Sequence, residues 1–75
     1  MKALIEYIAR SLVEDPTEVR VVEKRDRGDV QLELEVAAED MGRVIGKSGR
    51  VAAAMRALLR VAAARQGVRA TLDIR

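Results

Sequence analysis

VIGKSGR, residues 44–50, sets Gly46 and Gly49 around a lysine and a serine, after an apolar pair and before an arginine. What lies on either side of it decides the fold. Upstream, Glu39 and Asp40 stand where acids favour the start of a helix, and Met41, Val44 and Ile45 supply the apolar side of a short helix that Gly46 ends. Downstream of Gly49 a longer helix begins. Its expected apolar arc is Val51, Ala54, Met55, Leu58, Val61 and Ala62, with Leu59 at the edge and Arg56 and Arg60 opposite and solvated.

The pattern extends outward from these two helices. Leu4, Ile5, Ile8, Leu12 and Val13 recur at helical spacing, and Asp15-Pro16 stops that helix near Glu14, because proline disfavours a helical conformation in the residue before it. EVRVVEKR (18–25) and VQLELEV (30–36) are β-branched or alternating stretches on either side of a short polar turn, Asp26 to Asp29, and predict an antiparallel hairpin. Gln66-Gly67 closes the long helix, and VRATLDI (68–74) alternates as a last strand. The order is αββααβ. It predicts an α+β domain, with three helices packed on one face of a three-stranded mixed sheet. The other face would show Arg20, Gln31, Glu33, Glu35, Arg69, Thr71 and Asp73, a surface mixed in sign and without an aromatic ring. RNA-binding sheets stack bases on exposed aromatics, so the sheet is not the expected binding surface.

Composition narrows the function classes. Seventy-five residues allow one domain, near the size at which a single core is marginal. With no Cys and no His, the chain lacks thiol nucleophiles, the usual general base, soft metal ligands and disulfides, so neither an enzyme nor a cofactor or metal site is expected. Glu6 and Arg10 interrupt the apolar pattern of MKALIEYIAR, and no apolar run approaches membrane-spanning length; the expectation is a cytoplasmic protein without membrane contact. The net charge of +2 conceals a polarity: residues 1–40 hold six Lys/Arg against eleven Asp/Glu, net −5, whereas residues 41–75 hold eight against Asp73 alone, net +7. Such asymmetry points to a polyanion, and nucleic acid comes before a membrane surface because the apolar faces are needed for the core.

The glycine motif is not a P-loop. From Gly42, GRVIGKS has three residues between its glycines instead of four, and it follows a helix instead of a strand. A helix-hairpin-helix clamp would leave the strands unexplained, and plain capping of two adjoining helices would leave Lys47 and Arg50 unexplained. Glycines without Cβ let a phosphate backbone approach peptide nitrogen, and a following helix start adds N–H groups and positive potential. Gly46 to Gly49, preceded by Val44-Ile45 and set within αββααβ, resembles the GXXG loop of KH domains in their type II, bacterial arrangement. DMGRVIGKSGR (40–50) is similar to the corresponding stretch of the small stand-alone KH proteins of bacteria of the KhpA type, and the likeness spans the chain.

The resemblance implies a groove for about four nucleotides of single-stranded RNA or DNA, with the loop on the phosphates. The implied contacts are Gly46 and Gly49 for backbone approach, Lys47 and Arg50 for phosphates, Ser48 as hydrogen-bond donor or helix cap, Arg43 as an extension of the track and Ile45 as an apolar floor. The turn from Asp26 to Asp29 is short and half acidic, so one wall of the groove is low and sequence selectivity is expected to be poor. Proteins of this kind act as RNA chaperones or post-transcriptional regulators. They also pair with themselves and with a larger KH-containing partner linked to cell elongation and division. For pairing, the long helix offers a stripe of small residues, Ala53, Ala57 and Ala64, beside Leu58 and Val61, through which a homodimer or a competing heterodimer would form.

Overall fold

Ile5 and Ala9, four apart and fully buried, seat the first helix, α1 (Lys2–Leu12), on the core. The helix ends two residues before the expected Glu14. Val13 is extended, and the N–H groups of Glu14 and Asp15 turn away from the helical ladder to donate to the Asp40 carboxylate at 3.0 and 3.1 Å. A short 3₁₀ turn, Pro16–Glu18, leads into the hairpin of β1 (Arg20–Asp26) and β2 (Asp29–Glu35). These strands pair antiparallel from Arg20↔Glu35 to Asp26↔Asp29. The turn itself puts Arg27, at φ 58°, in the left-handed region.

The second helix, α2 (Met41–Ile45), buries Val44, and the third, α3 (Arg50–Arg65), spans sixteen residues. The last strand, β3 (Arg69–Ile74), runs parallel to β2 from Asp29↔Arg69 to Leu34↔Ile74. The computed structural model describes residues 1–75 and gives the sheet order β1-β2-β3, with β2 in the centre. Three helices and a three-stranded mixed sheet form the α+β, type II KH arrangement expected from the sequence. The core lies between sheet and helices, where Val30, Leu32, Leu34 and Leu72 meet Ile5, Val44, Met55 and Leu59. Leu32 and Leu34 are wholly buried, which favours folding by about 2 kcal/mol each.

Two expectations about faces are corrected. α3 buries Ala52, Met55, Leu59 and Ala63, at spacings of three, four and four, while Leu58 and Val61 are 52% and 58% exposed. In a helix so rich in alanine the apolar residues run nearly all the way round. Small Ala52 and Ala63 face inward, and the larger Leu58 and Val61 are turned out. On the open face of the sheet, Arg20, Gln31, Arg69, Thr71 and Asp73 are exposed as expected, but Glu33 is buried and Glu35 half-buried. Glu33 occupies the central strand, where its Oε2 accepts from Lys24 Nζ at 3.3 Å and Arg75 Nη2 at 2.9 Å.

Candidate nucleic-acid interface

The loop between α2 and α3 is built from backbone torsions that few residues adopt. Gly46 has φ 76° and ψ 171°, Ser48 φ 56° and ψ 26°, and Gly49 φ 73° and ψ 14°. Gly46 is fixed by packing as well, since a Cβ there would lie 2.9 Å from the Val51 backbone nitrogen and closer still to the Val51 side chain. Gly49 has open space around the same position, so its torsion alone calls for glycine. The N–H of Gly46 bonds the Gly42 carbonyl at 2.9 Å, and that of Gly49 bonds the Gly46 carbonyl at 3.1 Å. The loop is therefore closed on itself.

Of the expected contact residues, Lys47, Ser48 and Arg50 are exposed, whereas Ile45, Gly46 and Gly49 are half-buried. Lys47 and Arg50 enter none of the ion pairs of the fold, and the first turn of α3 carries no acid. Both charges are available to an anion. Ser48 does not cap α3, whose start has no side-chain hydrogen bond, so the hydroxyl is free to donate elsewhere. Ile45 packs partly against the core and is floor and core at once. Arg43 is differently placed, because its guanidinium pairs with Glu14 Oε1 at 2.7 Å and Asp40 Oδ1 at 3.3 Å.

That pairing exposes a role for Asp40 beyond starting a helix. It is 3% exposed and ties the end of α1 to the start of α2. The Glu14 N–H, then the Asp15 N–H and the Arg43 charge, hold its carboxyl below the usual carboxylate range against the opposing effect of burial. The anchor fixes α2, and α2 carries the loop.

A cleft of about 160 Å³ runs between α3 and the outer edge of β3, lined by Arg56, Leu59, Arg60, Ala70, Thr71 and Leu72. Arg56 is exposed, as expected, but its guanidinium is not free, since its Nε and Nη2 donate to the Leu72 carbonyl at 3.2 and 3.1 Å. Gly49, Ala53, Arg56 and Arg60 are spaced four, three and four, which places them in one row along a helix. The cleft thus continues the line of the loop. This row was visible in the sequence, but an apolar arc phased on Leu58 and Val61 hid it. The pairing stripe expected on α3, Ala53, Ala57, Leu58, Val61 and Ala64, is exposed throughout.

The chain is similar to known proteins over nearly its whole length. The family model of the KhpA/KhpB KH domain matches residues 2–74. The RNA-binding protein KhpA of Clostridium acetobutylicum is 49% identical over 74 residues, covering 99% of both chains. Its namesake from Halalkalibacterium halodurans is 49% identical over 74 residues, 99% of this chain and 97% of the relative. That of Treponema pallidum is 49% identical over 71 residues, 95% and 89% of the two chains. No solved structure matches.

Proposed function

The chain belongs to the KhpA/KhpB KH-domain family, which is not a family of enzymes, and from that premise we propose that it holds single-stranded RNA through the loop from Gly46 to Gly49. It does so with low sequence selectivity, as an RNA chaperone or post-transcriptional regulator in the cytoplasm, and single-stranded DNA would meet the same contacts. The observation that carries this reading is the loop. Consecutive left-handed residues, Ser48 and Gly49, bring Lys47 and Arg50 to the start of a sixteen-residue helix with no acid in its first turn. Phosphate is the anion that suits such a site: Lys47 and Arg50 supply charge, Gly46 and Gly49 supply access, and α3 supplies its dipole. Arg43, held by two carboxylates, adds a contact only by giving up a partner.

Replacing Lys47 and Ser48 together by Asp sets two negative charges against the phosphates. Both side chains are exposed, so the circular dichroism of the fold should persist while binding to a single-stranded RNA is lost. Undiminished affinity in a folded double variant would move the site elsewhere.

A second reading, favoured by the exposed Leu58 and Val61, is an adaptor. Here the Ala53, Ala57 and Ala64 face of α3 pairs with a second copy, or with the KH domain of a larger protein that acts in cell elongation and division. The two readings meet on α3, where Ala53 belongs both to the pairing face and to the row that continues the loop, whereas Lys47 and Arg50 stand outside the pairing face.

A further inference from the structure

We infer that Glu14 is a built-in competitor for Arg43, holding its guanidinium back from RNA phosphate and so lowering the affinity with which a strand is held at the loop. This role rests on the RNA-binding reading above and adds to it a residue that sets how tightly RNA is held.

Of the three cations in the stretch from Arg43 to Arg50, two are free and one is restrained. Lys47 and Arg50 enter no ion pair, whereas Arg43 divides its donors between two carboxylates: Nε faces Asp40 Oδ1 at 3.3 Å, and Nη2 donates to Glu14 Oε1 at 2.7 Å. Arg43 stands in the last turn of α2, three residues before Gly46. Long side chains on a helix lean toward its N-terminus, and the two acids, which meet at the start of α2, draw the guanidinium that way, back from the loop.

The two acids hold Arg43 in different ways. Asp40 is buried and fixed by the N–H groups of Glu14 and Asp15, so it keeps its place whatever Arg43 does. The Glu14 carboxylate is 75% exposed and has Arg43 as its one partner. An exposed pair holds weakly, because water solvates both ions and ordering two long side chains costs entropy. Phosphate can therefore take its place. Freed of Glu14, the guanidinium keeps its Nε contact with Asp40, and its two terminal nitrogens are left to a bidentate phosphate. The backbone of Glu14 has a separate task, since its N–H anchors Asp40 and with it α2. Glu14→Ala thus removes the competitor and leaves the anchor in place.

The test reads the fluorescence anisotropy of 5′-fluorescein r(U)8 at one low ionic strength. It compares the parent with Glu14→Ala, Arg43→Gln, the two combined, Glu39→Ala and the Lys47→Asp/Ser48→Asp variant, each with its circular dichroism. Glu39 is the control for charge alone, being an exposed acid beside Asp40 that enters no ion pair. Glu14→Ala should bind about threefold more tightly than the parent, the scale of one exposed ion pair. Glu39→Ala should stay within about 1.5-fold of the parent, and in the Arg43→Gln background Glu14→Ala should add no more than that. The comparison with Glu39→Ala stands even without a folded Arg43 variant. No gain from Glu14→Ala, an equal gain from Glu39→Ala, or an undiminished gain in the Arg43→Gln background overturns this inference; with binding lost in the loop variant, the RNA-binding reading still stands. Failure of the parent to bind the oligomer overturns both.

Discussion

Arg56 on α3 donates through Nε and Nη2 to the backbone carbonyl of Leu72, at 3.2 and 3.1 Å, and so closes part of the free edge of β3 with a side chain from the neighbouring helix. Charged donors to a carbonyl contribute more than neutral ones, but this pair is partly exposed. Arg56→Ala should therefore lower stability by about 1 kcal/mol, read as a shift in urea midpoint at unchanged slope. It also uncovers a strand edge. The variant should associate at high concentration under conditions in which Arg56→Lys does not.

The two loop glycines should differ in what alanine does to them. At Gly49 only the left-handed torsion opposes a Cβ, a cost of about 1–2 kcal/mol. At Gly46 the Val51 backbone must also move, so Gly46→Ala should destabilise more than Gly49→Ala and should distort the loop. Denaturant titration ranks the two, and Gly49→Asn, which tolerates the torsion, should fall between Gly49→Ala and the parent.

Affinity for a single strand should fall with salt in proportion to the phosphates engaged. With three to four neutralised, the slope of log K against log salt is roughly −2 to −3. Lys47→Ala should make that slope shallower by somewhat less than one. A slope near zero would contradict phosphate contact altogether.

Asp40 gives the fold an acid limit. Its pKa is depressed in the folded state by the Glu14 and Asp15 N–H groups and by Arg43. A carboxylate so shifted contributes stability that is complete above its unfolded value of about 3.9 and is lost as pH falls through the lower folded value. Asp40→Asn should accordingly lower the denaturation midpoint at neutral pH and flatten its fall below about pH 4. Melting curves across the acid range check both.

Pairing through α3 predicts that Ala57→Glu is monomeric by light scattering with its circular dichroism intact, because Ala57 is exposed. RNA affinity should then drop only by the loss of a second linked site. A parent already monomeric at high micromolar concentration would remove this interface.

The arrangement of elements was legible because turns and breakers are local: Pro16, the polar hairpin turn, Gly46, Gly49 and Gly67 each mark a boundary that the structure keeps within a residue or two. The loop was legible for the same reason. What escaped depended on contacts distant in the chain. Asp40 reaches back to Glu14 and Asp15, and that contact ends α1 early. The phase of α3 is set by which alanines fit against the sheet, and alanines are indistinguishable to a count of apolar residues. Arg56 and Arg60 became cleft residues once β3 took its place beside them. Glu33 resisted reading because its burial needs Lys24 on β1 and Arg75 just past the end of β3.

Every residue of the β2–β3 ladder meets a partner forty positions away, from Asp29↔Arg69 to Leu34↔Ile74. The hairpin closes over a two-residue turn, but the parallel pair closes a circuit that contains α2, the glycine loop and all of α3. Closing so long a circuit carries an entropic cost that the contacts of β3 offset only at the end, so docking of this strand is the natural slow step of folding. The carbonyl that anchors Arg56 arrives in that same step. The cleft between α3 and β3 is consequently completed last, and a folding intermediate with hairpin and helices already formed would hold the glycine loop but not the cleft beside it.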